Sequence, residues 1–169
     1  MTEAASAPAP DPVMAAVTEA VTRGHQGDKE GARADLLVLW AQVGDDGDAF
    51  HRCVIAHYVA DVTPGAEEEL VWDERALAAA HETSDERARS YHSSLAIAGF
   101  FPSLHLNLAD VLRRLGRFED AEAHVAHTAA RIEVLPHDGY GTTIREALDG
   151  VRAMIAARDA SVRESSPHA

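Results

Sequence analysis

The chain is short of cations. Lysine and arginine together number 15 against 28 aspartates and glutamates, a formal net charge of −13 over 169 residues. Such a charge opposes approach to DNA, RNA or an anionic membrane, so neither nucleic acid nor membrane is an expected partner. Lysine occurs once, at Lys29. With alanine at about one residue in five, that is the bias of a high-GC bacterial genome of the actinobacterial kind. The one cysteine, Cys53, excludes an intramolecular disulfide and a cysteine-based zinc cluster, and its apolar neighbours imply a buried, inert thiol. Aromatics are only 5%, too few for a sheet-rich core, whereas alanine suits close helix packing. No run approaches the roughly 20 apolar residues of a membrane span, and residues 1–10 have no signal-peptide pattern, so a cytoplasmic protein is expected. Gly-x-Ser-x-Gly, phosphate-binding glycine loops and His-Glu-x-x-His are absent, so neither an enzyme nor a bound cofactor is expected.

What is present is helical periodicity. Residues 1–10, rich in Ala, Pro and Ser, read as a disordered leader. Asp11-Pro12 then starts a helix with a cap and a first-turn proline, and Val13, Ala16, Val17, Ala20 and Val21 form its apolar stripe up to Gly24. Further helices are expected at about 29–43, 49–62 and 66–82. The acidic loop Asp45-Asp46-Gly47-Asp48 reads as a turn and cap because the later oxygen ligands of a calcium loop are missing. Thr83 with Glu86 resembles a capping box for a short helix through Ser94 inside an irregular 83–101 insert. Helices at 102–115 and 118–135 follow, then one at 143–158 begun by a Thr143/Glu146 box. Residues 159–169 are expected to fray.

The strongest signal lies in residues 102–121, where Leu108, Ala109, Leu112, Gly116, Phe118 and Ala121 have the spacing of two antiparallel helices locked across a tight turn. This segment resembles a tetratricopeptide repeat. In that comparison Ala109 and Ala121 let the helices approach, Gly116 makes the turn and Phe118 seats it. Ala20, Gly27 and Ala32 repeat the spacing, and Ile55-Ala56-His57-Tyr58 aligns with Leu108-Ala109-Asp110-Val111. The resemblance implies an all-α superhelix of about three irregular helix pairs over residues 11–158, with the last helix as a terminal cap.

It also implies a non-enzymatic interaction module that takes a partner peptide or segment on the concave face formed by the first helix of each pair. The positions carried over are Phe50, His57, Asp61, Leu106, Asn107, Asp110, Arg113 and Arg114, with Ser103 and Cys53 beside them. Asn107 stands where peptide-clamping members hold a ligand's backbone or terminal carboxylate, but Thr18 and Val54 occupy the matching positions of the other pairs. Homo-oligomerisation stays open. A rival reading is a small-molecule or metal sensor using the ten histidines, among which His124 and His127 at i,i+3 could grip an ion with Asp120. Another is a hydrolase built on Cys53 and His57 at i,i+4.

Overall fold

The computed structural model describes residues 11–91 and 97–163, and every regular element among them is helical. Helices α1 (Pro12–His25) and α2 (Lys29–Val43), α3 (Ala49–Val62) and α4 (Ala66–Glu82), and α6 (Phe101–Arg114) and α7 (Phe118–Arg131) pack as consecutive pairs. The short α5 (Asp85–Tyr91) and a 3-10 turn at Ile97–Gly99 lead into the third pair. A second 3-10 turn, Ile132–Val134, leads to α8 (Gly139–Ala156), which lies across α6 and α7. The expected leader, the end of the expected 83–94 helix and the last residues of the tail lie outside the described residues. No described helix is long and apolar enough to cross a membrane.

Local chemistry sets the helix ends. Asp11 accepts bonds from the amides of Val13 and Met14, and Asp28, Asp48 and Asp138 cap α2, α3 and α8 in the same manner. Each carboxylate satisfies an amide that the helix cannot bond itself. Two turns share one construction. Gly27 (φ 102°) and Gly116 (φ 74°) take the left-handed conformation, and the amides one residue later, Asp28 and Arg117, reach back to the carbonyls of Arg23 (3.2 Å) and Leu112 (2.9 Å). This is the bond of a Schellman ending, and glycine at the left-handed position avoids a Cβ clash.

Three boundaries differ from expectation. The Thr83 hydroxyl bonds back to the Ala79 carbonyl (2.9 Å), which closes α4, so Ser84 becomes the cap of α5 by accepting from the Arg87 amide (3.1 Å). Thr143 likewise bonds back to Gly139 (2.9 Å) from inside α8, which begins four residues earlier on Asp138. Helix α7 stops at Arg131, and the chain tightens into the 3-10 turn before Leu135.

Packing follows from small residues at the crossings. Ala20, Ala32, Ala109 and Ala121 are all buried, and a methyl added to Gly24 would stand 3.3 Å from the Ala32 Cβ. The first two pairs share one apolar cluster that includes Val17, Leu36, Phe50, Ile55, Val59 and Ala76. Within it the rings of Trp40 and Trp72 meet edge to face at 5.1 Å. A second cluster joins α6, α7 and α8 through Leu106, Leu112, Val125, Ile144, Leu148 and Val151. Because Ala109 has no exposed surface, Ala109→Leu is expected to cost about 1–3 kcal/mol by overpacking, read as a lower urea midpoint with an unchanged far-ultraviolet spectrum.

Candidate functional site

The first helices of the three pairs, α1, α3 and α6, face a common cavity of about 740 Å³, to whose lining Val134, Leu135 and Pro136 and the α8 residues Tyr140 and Ile144 also contribute. Its walls are mostly apolar, with Val17, Val21, Val54, Phe100 and Leu135 among them. A few polar groups reach it, chiefly Thr18, Thr22, Ser103, His57 and Asn107. Apolar walls with a small number of placed polar groups are the usual construction of a ligand site.

The structure sorts the expected contact residues into three sets. Phe50, His57 and Asn107 line the cavity. Phe50 is at the same time a core residue, fully covered, meeting Phe100 edge to face at 6.2 Å. Asn107 Nδ2 lies 3.5 Å from both His57 Nδ1 and Asp61 Oδ1, and His57 Nε2 lies 3.8 Å from Asp61 Oδ2. These are long contacts, at the outer limit of hydrogen bonding. Asp61 stands one helical turn beyond His57 and is reached from the cavity through Asn107.

Asp110 and Arg114 form the second set, and they serve the packing of α6 on α4. Arg114 is paired with Glu69 of α4 and with Asp110 (3.3 Å). Leu106 and Arg113 form the third, and here the expectation is corrected. Leu106 lies in the α6–α7–α8 core because its position on the helix faces Ala121 and the α8 stripe. Arg113 is 0% exposed and donates to the backbone carbonyls of Asp159 (2.6 Å) and Ser161 (2.8 Å) as well as to Asp110 Oδ1 (2.8 Å). The tail expected to fray from residue 159 is therefore tied to α6 through Ser161.

Behind the cavity floor, polar side chains interrupt the apolar packing between α4 and α6. Asp73 is 1% exposed, and neither carboxyl oxygen has a hydrogen-bond partner at normal geometry. Burial, reinforced by the charges of Glu69 and Asp61, holds its pKa well above the usual carboxylate range, with the nearby Asn107 amide acting weakly in the opposite sense. Burial also raises Glu69, against the pull of Arg114. Four carboxyl groups thus gather here: Asp61, Glu69, Asp73 and Asp110. Nothing in the helical periodicity marked Asp73, which occupies an apolar-stripe position one residue after Trp72.

The histidines and Cys53 are arranged for packing. His105 Nδ1 and His124 Nδ1 lie 2.9 Å apart, with the His127 ring stacked on His105 at 4.8 Å. His124 is half-buried against α6, and Asp120 pairs with Arg117. Burial and the two neighbouring histidines push His105 down to about 4. No group of three or more possible ligands among the described residues could hold a metal ion. Burial pushes the Cys53 thiol up to about 12, opposite to what a nucleophile needs. A network that sequence reasoning missed joins Asp11, His51, Arg87 and Asp48 across α1, α3 and α5, with His51 Nε2 2.7 Å from Asp11 and Arg87 Nε 2.6 Å from Asp48. The caps were legible, but partners 36 to 76 residues apart in sequence were not.

No protein-family model matches the chain, nor does any curated protein or solved structure.

Two outcomes follow from this chemistry. His105 binds its proton less readily folded than unfolded, so its contribution to stability is complete above about pH 6.5 and is lost as pH falls toward 4. Urea titrations of His105→Gln are expected to give a shallower loss of stability over that interval than the parent, with the parent slope unchanged if the ring contacts are inert. Arg113→Met should cost about 3 kcal/mol, because it removes a fully buried guanidinium that holds Asp110 and two part-buried carbonyls, and should speed amide exchange at Asp159–Ser161.

Proposed function

We propose that this chain is a non-enzymatic helix-pair scaffold of the tetratricopeptide kind whose cavity between α1, α3 and α6 takes a segment of a protein partner. The observation that carries the reading is the cavity itself: the first helix of every pair contributes to one apolar groove with His57 and Asn107 at its floor. The repeat assignment is supported by three successive pairs and by the matching left-handed glycine turns at Gly27 and Gly116. The α5 insertion between the second and third pairs departs from a uniform array.

A clamp for a ligand carboxylate is disfavoured, since Arg113 and Arg114 are both engaged inside the protein. The groove instead offers apolar anchoring with an amide and an imidazole to fix register. A second reading, a small apolar molecule in the same groove, is favoured by one quantity: about 740 Å³ lies within the range that small ligands occupy. The histidine surface is the weaker sensor candidate because His105 and His124 face each other at hydrogen-bonding distance.

The test is selection of displayed dodecapeptides on the full chain. Binders are expected to lose affinity when Thr18→Trp fills the groove from its exposed rim, and Asn107→Ala should weaken them by about 1–3 kcal/mol without changing the melting curve. His127→Ala should leave binding intact. Binding that depends on His127 and ignores Thr18→Trp would move the site to the other face, and an apolar dye displaced by no peptide would favour the small molecule.

A further inference from the structure

Helix α6 separates two unlike surroundings. Ser103 and Asn107, one helical turn apart, face the cavity, and Phe100 joins them there. Phe101 and His105 precede them by two positions, which on an α-helix is the opposite side. That side is filled with imidazoles. His105 Nδ1 meets His124 Nδ1 of α7 at 2.9 Å, the His127 ring stacks on His105 at 4.8 Å, and the His81 ring of α4 lies 4.9 Å from Phe101. Among the described residues, the titratable and charged groups acting on His105 are His81 from α4 and His124, His127 and Arg131 from α7, all of them cationic when protonated. The carboxylate acting on His124 is Asp120, itself held by Arg117 at 2.8 Å.

Two Nδ1 atoms 2.9 Å apart have room for one hydrogen between them. With both rings neutral, one Nδ1–H donates to the other Nδ1. A first added proton goes to the outward Nε2 of the donor ring and strengthens that bond. A second can enter only at the acceptor Nδ1, where two N–H groups collide and two like charges face each other in a half-buried site. We infer that the His105 and His124 imidazoles form an acid-operated release for the groove: on their second protonation α6 and α7 part at this contact, and the wall that α6 gives to the cavity shifts with it. This rests on the groove-binding reading and adds its regulation. Burial and the neighbouring histidines already resist charging of His105, which sets the release on the acid side of neutrality. The groove therefore holds its partner at neutral pH and lets it go on acidification. His57, the lining's own histidine, stands on α3 outside the imidazole pair, so its response to pH is separable by mutation.

The test takes two readouts on the full chain. Without any ligand, the methyl resonances of Val21 and Val54, both in the cavity lining, are followed from neutral pH into the acid range. They are expected to shift together with the His124 ring protons, to stop doing so in His105→Gln and His124→Gln, and to continue in His57→Gln. The second readout is the Kd of a dodecapeptide whose binding Thr18→Trp abolishes. It should rise about tenfold between about pH 7 and pH 4.5 in the parent, and less than about twofold in His105→Gln and in His124→Gln, with the far-ultraviolet spectrum unchanged over that interval. A response that vanishes in His57→Gln and persists without His105 or His124 would overturn the inference, as would no response at all or one that follows loss of helix. Methyl shifts tied to His105 and His124 in a chain that binds no groove-dependent peptide would overturn the groove-binding reading and sustain the acid coupling across α6.

Discussion

Close approach of helix backbones at alanine is the constraint on which the rest depends. With Ala20, Ala32, Ala109 and Ala121 buried at the crossings, the helices of a pair sit near enough for their turns to be only a few residues long. Short turns in turn fix which helix precedes which, and so place α1, α3 and α6 on one side of the molecule. The cavity is a consequence of that alternation. Larger residues are displaced to the interfaces between pairs, where Trp40, Trp72 and Phe50 fill the wider gaps.

Electrostatics is arranged with equal economy. Most arginines are spent on internal pairings: Arg33 with Glu68, Arg52 with Glu82, Arg87 with Asp48 and Asp11, Arg114 with Glu69. Several of these join different helices, so scarce positive charge acts as a fastener between pairs. The exposed members contribute little individually. The chain's excess negative charge remains after these pairings.

Much of the architecture was legible because its causes are local. Asp11 and the 45–48 loop are capping signals followed by helical stripes, Gly27 and Gly116 mark tight turns, and the ranges of α2, α3 and α4 agree with those expected from periodicity. Where two residues competed for one role the reading failed: Thr83 and Thr143 prefer to bond to carbonyls four residues back, leaving Ser84 and Asp138 as caps. The site was half legible. His57 and Asn107 follow from helical phase, since each shares a face with its helix's groove positions. Leu106 and Arg113 do not, because α8 and the chain beyond it cover a face that an isolated helix pair would expose. Asp73 and the His105 cluster depend on which helix lies opposite, and periodicity along one helix carries no such information.

The bond from Arg113 to the Asp159 and Ser161 carbonyls gives the C-terminal end an unusual mechanical position. In a row of helix pairs each element touches only its neighbours, and the terminal helix is ordinarily the first to peel away. Here peeling would drag the backbone beyond α8 off a guanidinium that sits inside the protein, so detachment of α8 and exposure of a buried charge become one event. The chain beyond the last helix is thereby fastened to α6, the helix that carries the groove's Asn107.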